Sequence, residues 1–423
     1  MLTTIQEMKY FLRTAYGDSK GCKGSTIMIK FQGLCQGSRA AAVGWAVISI
    51  TILGAHKSIG HGGHFVCPVT KMRDHLAAIL FVDDTDIVHI NMDLDEIAHQ
   101  VHSTMQNSIE SWGQLLMAAD GAFKPEKCFS HLISFSWKSN GKWKYDNNAD
   151  KEEFDLHVPM PDGLQVSIDS VGVNEAKETL GVWPCPSGDS VKACKIMESK
   201  AQDWVDRAKE GHISRRDVWF LVEHQFWPKV GYVLCCNTAQ LRELEQCMKK
   251  QYWELIPLGG VIRSAPKELR QLSKGFYVIG CPNVGVECCV VQVNKLLMHY
   301  GCPSSLGRLM QISLNYMILE MRISTQPLLE SYSKYGSWIT SCWLKSLWEK
   351  CNTYGVMVEF NDVKIALPRR GDQWLMRLLI WLGYNSQELE RLNRVQISFQ
   401  VLFLSDILGA SGHLLDEKYL RRR

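Results

Sequence analysis

Hydrophobic patterning divides the chain into a mixed first part and a helical remainder. Residues 40–54 form an Ala-rich apolar run, which predicts a buried helix. Residues 77–81 are a short continuous apolar run with little room for water on either face, and residues 85–90 are a second run of strand-formers. Together they predict a tight antiparallel hairpin with Asp83 and Asp84 at its tip, packed on the helices at 40–54 and 93–118. In the second helix Ile97, Val101, Met105, Ile109 and Trp112 recur at helical spacing and give one apolar face, with Asp93 and Asp95 near its start to suit the helix dipole. His99 and His102 share a face at i, i+3 and read as solvated side chains rather than as metal ligands.

Residues 128–171 switch to strand signals. A run at 129–137, the turn Asn140-Gly141 and Trp143-Lys144-Tyr145 predict one hairpin; 154–158, Pro161-Asp162-Gly163 and 164–168 predict another. From Ser187 onward helices dominate. Residues 189–210 and 216–234 read as two helices, the second kinked at Pro228, and Thr238 is the expected cap of a third running to Leu255. An apolar helix follows at 290–298. Further on, 357–360 and 363–367 predict a hairpin turning at Asn361-Asp362, and Asn385 with Glu388 makes a capping-box signature for a helix to Leu408.

Composition adds bounds rather than identity. The 423 residues suffice for two or three domains, and 46% hydrophobic with 22% charged residues describes an ordinary globular protein. A formal net charge of +3 does not by itself call for nucleic acid. Basic and aromatic residues do interleave at Arg215-Arg216, at Lys249-Lys250-Gln251-Tyr252-Trp253 and over 263–274, where they suit either a phosphate backbone or a solvated helix face. The fifteen cysteines are scattered and read as reduced core residues. The N-terminus shows no basic leader ahead of an apolar core, and the longest apolar run, 43–53, falls short of the ~20 residues that span a bilayer. The expectation is an intracellular protein, in cytoplasm or nucleus, without membrane contact.

Two sites carry candidate chemistry. His61-x-x-His64-x-x-Cys67 offers zinc-type ligands, with His75 a possible fourth, or simply a polar loop. Asp83 and Asp84 repel each other when both are charged in a confined site, and a divalent cation removes that cost. Hard cations such as Mg²⁺ accept one or two carboxylates together with phosphate oxygens, so an acidic hairpin tip suits phosphoryl or nucleotidyl transfer. The same dipeptide also makes an ordinary polar turn between strands.

Context distinguishes these. Phe81-Val82-Asp83-Asp84 resembles the F/Y-x-D-D box of reverse transcriptases. Upstream, Gly33-Leu34-Cys35-Gln36-Gly37 resembles the family's Gln-Gly box. Downstream, Trp112 followed by Gly121-Ala122-Phe123-Lys124-Pro125-Glu126-Lys127-Cys128 resembles the helix-then-Gly…Lys block, and Thr179-Leu180-Gly181 the Leu-Gly turn of the primer grip. Four matches in the family's order are similar to the C-terminal part of a retroelement reverse transcriptase, nearest the non-LTR type.

The resemblance implies a fold class of α+β: a partial polymerase palm, in which an antiparallel hairpin packs on helices, followed by mainly α-helical thumb-like and C-terminal regions. It implies a partial palm at 1–127, a β-rich connection and primer-grip region at 128–185, a helical thumb-like region at 186–300 and a helical region without assigned role at 301–423. By resemblance Asp83 and Asp84 hold Mg²⁺ (or Mn²⁺), Lys127 protonates departing pyrophosphate, Gln36, Gly37, Phe81 and Val82 border nucleotide and template, and Leu180 and Gly181 belong to the primer grip. The implied partners are an RNA template, a DNA primer and deoxynucleoside triphosphates. Two departures stand out. The Gln-Gly box does not run on to the usual proline, and the only acids before Gln36 are Glu7 and Asp18, neither in the strand context of the family's first metal-binding aspartate. The expectation is therefore an N-terminally truncated polymerase fragment, inactive alone; the alternative is a non-catalytic remnant that binds nucleic acid or protein.

Overall fold

The computed structural model describes the chain except residues 1–8, 11–12, 15–16, 19–22, 25–38, 82, 91–97, 120, 138–142, 147–151, 267–269, 272–279, 362, 364, 417–418 and 421–423. It is a mixed α+β protein, mainly helical, with small and mostly antiparallel hairpins. Contacts divide it into two compact units. The smaller comprises Met1–His64, His75–Leu132 and Asn148–Val171; the larger comprises Phe65–Asp74, Ile133–Asn147 and Gly172–Arg423.

In the smaller unit the helices Arg39–Ser58 and Ala98–Ala118 pack on each other. His56 is fully buried between them: its Nε2 lies 3.1 Å from Ser108 Oγ, and its ring meets Trp112 edge-on. Ile109 and Trp112 are buried as the helical spacing requires, while Ile97, Asp93 and Asp95 lie outside the described residues. The first helix is not the buried element expected. Val43, Val47 and Ile50 are each at least 60% exposed, because only its other side meets the second helix. A small core of Ile109, Leu156, Val158 and Ile168 joins the second helix to the hairpin of His157–Pro159 and Gln165–Ser167. That hairpin turns through Gly163 at φ +83°, a left-handed conformation that glycine adopts without a Cβ clash. The expected strand at 129–137 is broken. Phe129–Ser130 pairs in parallel with Asp169–Ser170, and Phe135–Trp137, which belongs to the larger unit, pairs with Trp143–Tyr145. His99 and His102 are not simply solvated. Both rings pack on Phe154, and His102 Nε2 lies 3.2 Å from the Asp155 carbonyl.

The larger unit is helical and has two cores. The first gathers Val191–Glu210, the helical stretch 215–236 and Leu241–Leu258; the second gathers Val284–Tyr300, Ser305–Met321 and Trp343–Tyr354. Four local expectations are corrected here. The helix expected over 216–234 is not regular: Arg215–Leu221 runs through the π-turn Val222–Phe226, where the Trp227 N–H donates to the Val222 carbonyl, into Trp227–Gly231, which carries Pro228 near its start. Thr238 is not a helix cap; its hydroxyl donates to the Gly188 carbonyl, and Glu243 instead accepts from the Gln240 N–H at the start of Leu241–Leu258. Among the described residues no strand ladder forms over 357–367. The Gln326 side chain takes the partner strand's role, donating to the Phe360 carbonyl at 2.7 Å and accepting from its N–H at 3.0 Å. The Asn385/Glu388 capping box is present, but its helix Ser386–Phe399 stops at Gln400 in a left-handed C-cap, well before Leu408. No helix among the described residues is long and apolar enough to cross a membrane.

Two outcomes follow from this packing. Trp348 is fully buried and its indole N–H donates to the Glu330 carbonyl, so Trp348→Ala is expected to lower unfolding free energy by about 3–5 kcal/mol in denaturant titrations. Trp381, 80% exposed, is the control and should change it by no more than about 0.5 kcal/mol when replaced by alanine. Burial, reinforced by His61, pushes the His56 imidazole down to about 4. A depressed folded value means that its contribution is complete above the unfolded value near 6.5 and is lost as pH falls through about 4. Stability should therefore drop by about 3 kcal/mol across that window, and His56→Asn should flatten the drop in urea titrations run from pH 7 to pH 4.

Candidate nucleotidyl-transfer site

Strand alternation determines what the acidic hairpin presents. Ala78–Phe81 and Asp84–Ile87 pair antiparallel with Phe81 opposite Asp84, Leu80 opposite Thr85, Ile79 opposite Asp86 and Ala78 opposite Ile87. Residues directly opposite share a face and successive residues alternate. Ile79, Phe81, Asp84 and Asp86 therefore stand on one face, and Ala78, Leu80, Thr85 and Ile87 on the other. The first face is open: Ile79 is 52% and Phe81 59% exposed. The second is turned inward, with Ala78 buried and its three companions half-buried. The expectation of a strand closed to water on both faces is thus corrected; burial is confined to one face and to Ala77 at the base, whose carbonyl accepts from the Val88 N–H.

Asp83 lies in the turn with an exposed side chain, Asp84 opens the second strand, and Val82 lies outside the described residues. Gln36 and Gly37 also lie outside them. Asp18 is in a two-residue strand, Gly17–Asp18, paired with Arg13–Thr14, where the sequence suggested only a turn. Lys127 ends the short turn Pro125–Lys127 with its side chain exposed, and it makes no ion pair with Asp83 or Asp84. In the larger unit Leu180 and Gly181 form a tight hairpin turn, closed by the Thr179–Val182 bridge. Both have positive φ, +54° and +78°, as a two-residue primed turn requires, and the Leu180 carbonyl accepts from the Tyr232 hydroxyl at 2.9 Å.

Asp86 was missed by the reading of the motif as a dipeptide. Period-two alternation in Asp84-Thr85-Asp86 carries the signal, since it sets both carboxylates on the open face. Asp86 is held above the usual carboxylate range, first by lost hydration and then by the neighbouring Asp84 charge. Two hard oxygen donors whose charges oppose each other suit a divalent cation that keeps most of its water. Among the described residues, no three His, Cys, Asp or Glu side chains converge closely enough to hold a metal ion. This applies also to the zinc-type loop. There His61 stacks on His56 and His64 on His75, with His75 Nε2 3.0 Å from the His61 carbonyl, while Cys67 Sγ accepts from Thr70 N–H and Asn315 Nδ2.

The raised Asp86 value has a testable consequence. Its contribution to folding is greatest below the unfolded value near 4 and disappears as pH rises through the folded value. Asp86→Asn should therefore be more stable than the parent at neutral pH and equal to it near pH 3, in urea titrations at both pH values. A gain that persists at pH 3 would show that charge is not the cause. No protein-family model matches the chain, and no protein of curated function matches it either.

Proposed function

We propose that this chain is related to retroelement reverse transcriptases, with the 78–87 hairpin as the palm element that offers carboxylates for nucleotidyl transfer. The observation that carries the reading is the hairpin register, which puts Asp83 in the turn and Asp84 opposite an exposed Phe81. The order of the surrounding motifs supports it. In this reading Asp83 and Asp84 hold Mg²⁺ or Mn²⁺ through oxygen, the donor chemistry those ions prefer, and Asp86 adds negative charge beside them. When bound, such ions lower the pKa of a primer 3′-hydroxyl and stabilise charge on the transferring phosphate. The chain's own groups do the rest. Phe81, Val82, Gln36 and Gly37 border the deoxynucleotide and RNA template, Lys127 gives a proton to departing pyrophosphate, and the Leu180–Gly181 turn meets the DNA primer.

As a separate 423-residue chain it is proposed to be inactive in polymerisation. A two-metal site takes carboxylates from separate strands of the palm, and this hairpin offers them only from its turn and its second strand. Misplacing a reacting group by about 1 Å costs roughly a hundredfold in rate, and an absent ligand should cost more.

The expected outcome is weak, about millimolar, Mn²⁺ binding that is lost in the Asp83→Ala, Asp84→Ala double variant, read by the electron paramagnetic resonance of free Mn²⁺. Primer extension on an RNA template should be undetectable. Equal Mn²⁺ binding by parent and variant would remove the site. Extension by the parent that vanishes with Asp83→Ala would keep the family and overturn the inactivity.

A further inference from the structure

Three pairs of thiols touch in the larger unit, and every described cysteine is free. Cys289 and Cys351 bring their sulfurs to 4.0 Å inside the second core, both essentially without solvent exposure. Cys194 and Cys247 shift each other's titration, Cys194 downward and Cys247 upward, and Cys194 is buried. The third pair differs. Cys235 and Cys236 are neighbours in the chain on the 3₁₀ turn Tyr232–Cys236, their sulfurs are 3.5 Å apart, and Cys236 is exposed. The Lys295 ammonium acts on both. In its protonated form Cys235 Sγ donates to the Tyr232 carbonyl, a bond that the thiolate gives up.

Thiolate character and access together decide which cysteine reacts. The hydrogen bond from Cys236 lowers the Cys235 thiol to about 6; burial opposes this in part and Lys295 adds to it. Cys236 is correspondingly pushed up and keeps its proton. One sulfur is therefore a nucleophile at neutral pH, and a second thiol waits beside it. Cys289–Cys351 has the second thiol without the access, in Cys194–Cys247 the lowered thiol, Cys194, is the buried one, and Cys342 has the exposure without a partner thiol.

We propose that Cys235–Cys236 is a redox-modifiable vicinal dithiol that a small hydroperoxide converts to an intramolecular disulfide. The Cys235 thiolate attacks one peroxide oxygen; the O–O bond breaks, a sulfenic acid forms, and the departing oxygen takes a proton to leave as water or alcohol. The Cys236 sulfur then attacks the sulfenyl sulfur; the S–O bond breaks and water leaves with the Cys236 proton. Both thiols are oxidised and the peroxide is reduced. The inference is independent of the polymerase reading.

The test uses the full chain, equimolar hydrogen peroxide, alkylation of the remaining thiols and peptide mass spectrometry. The 235–236 peptide should lose both thiol hydrogens before any other cysteine changes. Iodoacetamide labelling of Cys235 should rise through about pH 6, and at that pH it should exceed an ordinary thiol by about tenfold once the lower nucleophilicity of a weak base is allowed for. In Cys236→Ser, oxidation should stop at a sulfenic acid trapped by dimedone, with the labelling inflection moved up. Lys295→Ala, a surface change, should move it up as well while keeping the disulfide. The proposal is overturned if Cys194–Cys247 or Cys289–Cys351 oxidises as fast in the folded chain, or if Cys236→Ser leaves the labelling profile unchanged.

Discussion

The larger unit depends on satisfying one buried break in its helices. Between the stretch that ends at Cys236 and the helix that begins at Leu241, the backbone leaves helical geometry while Leu234, Asn237 and Ala239 are all buried. Carbonyls freed at a helix end and removed from water each need a donor. Here later helices supply them through side chains. Gln292 reaches both the Leu234 and Asn237 carbonyls, Trp343 donates to Cys235, and Ser346 and Lys350 both donate to Ala239. Lys350 is fully buried, and burial lowers its pKa; its ammonium is nonetheless surrounded by acceptors, since it also meets the Ser346 carbonyl and hydroxyl. These directed bonds set where the helices Val284–Tyr300 and Trp343–Tyr354 sit against the break, which apolar packing alone leaves free to slide.

The vicinal thiols lie at the end of this same segment. The Cys235 carbonyl holds Trp343 while its sulfur faces Cys236, so the chemistry of the pair and the anchoring of a core helix share one residue. In the smaller unit the governing constraint is different. A hairpin with one open face presents whatever alternates onto that face, and here it is two apolar side chains beside two carboxylates. The resulting charge opposition at Asp84 and Asp86 is a standing cost that protonation or a cation removes.

Local patterns were legible wherever a short segment carries its own reason. The strand–acid–strand run specified the hairpin, the Asn385/Glu388 spacing specified a capped helix, and Ile109 and Trp112 specified the buried side of theirs. Reading failed where a distant group competed. Thr238 has the chemistry of a cap, but the Gly188 carbonyl takes its hydroxyl. The 357–367 segment has strand-formers around a turn, but the Gln326 side chain takes Phe360's backbone bonds.

By itself, then, the sequence determined the acidic hairpin and the amphipathic and capped helices, because periodicity and adjacent charges act over a few residues. Tertiary structure decided exposure and partnership. It left Val43, Val47 and Ile50 uncovered on an apolar helix, set Ile79 and Phe81 beside Asp84 and Asp86 through the cross-strand register, and made two neighbouring cysteines a reactive pair beside Lys295. Those outcomes depend on which surfaces meet, and a residue's own type does not specify its neighbour across a core.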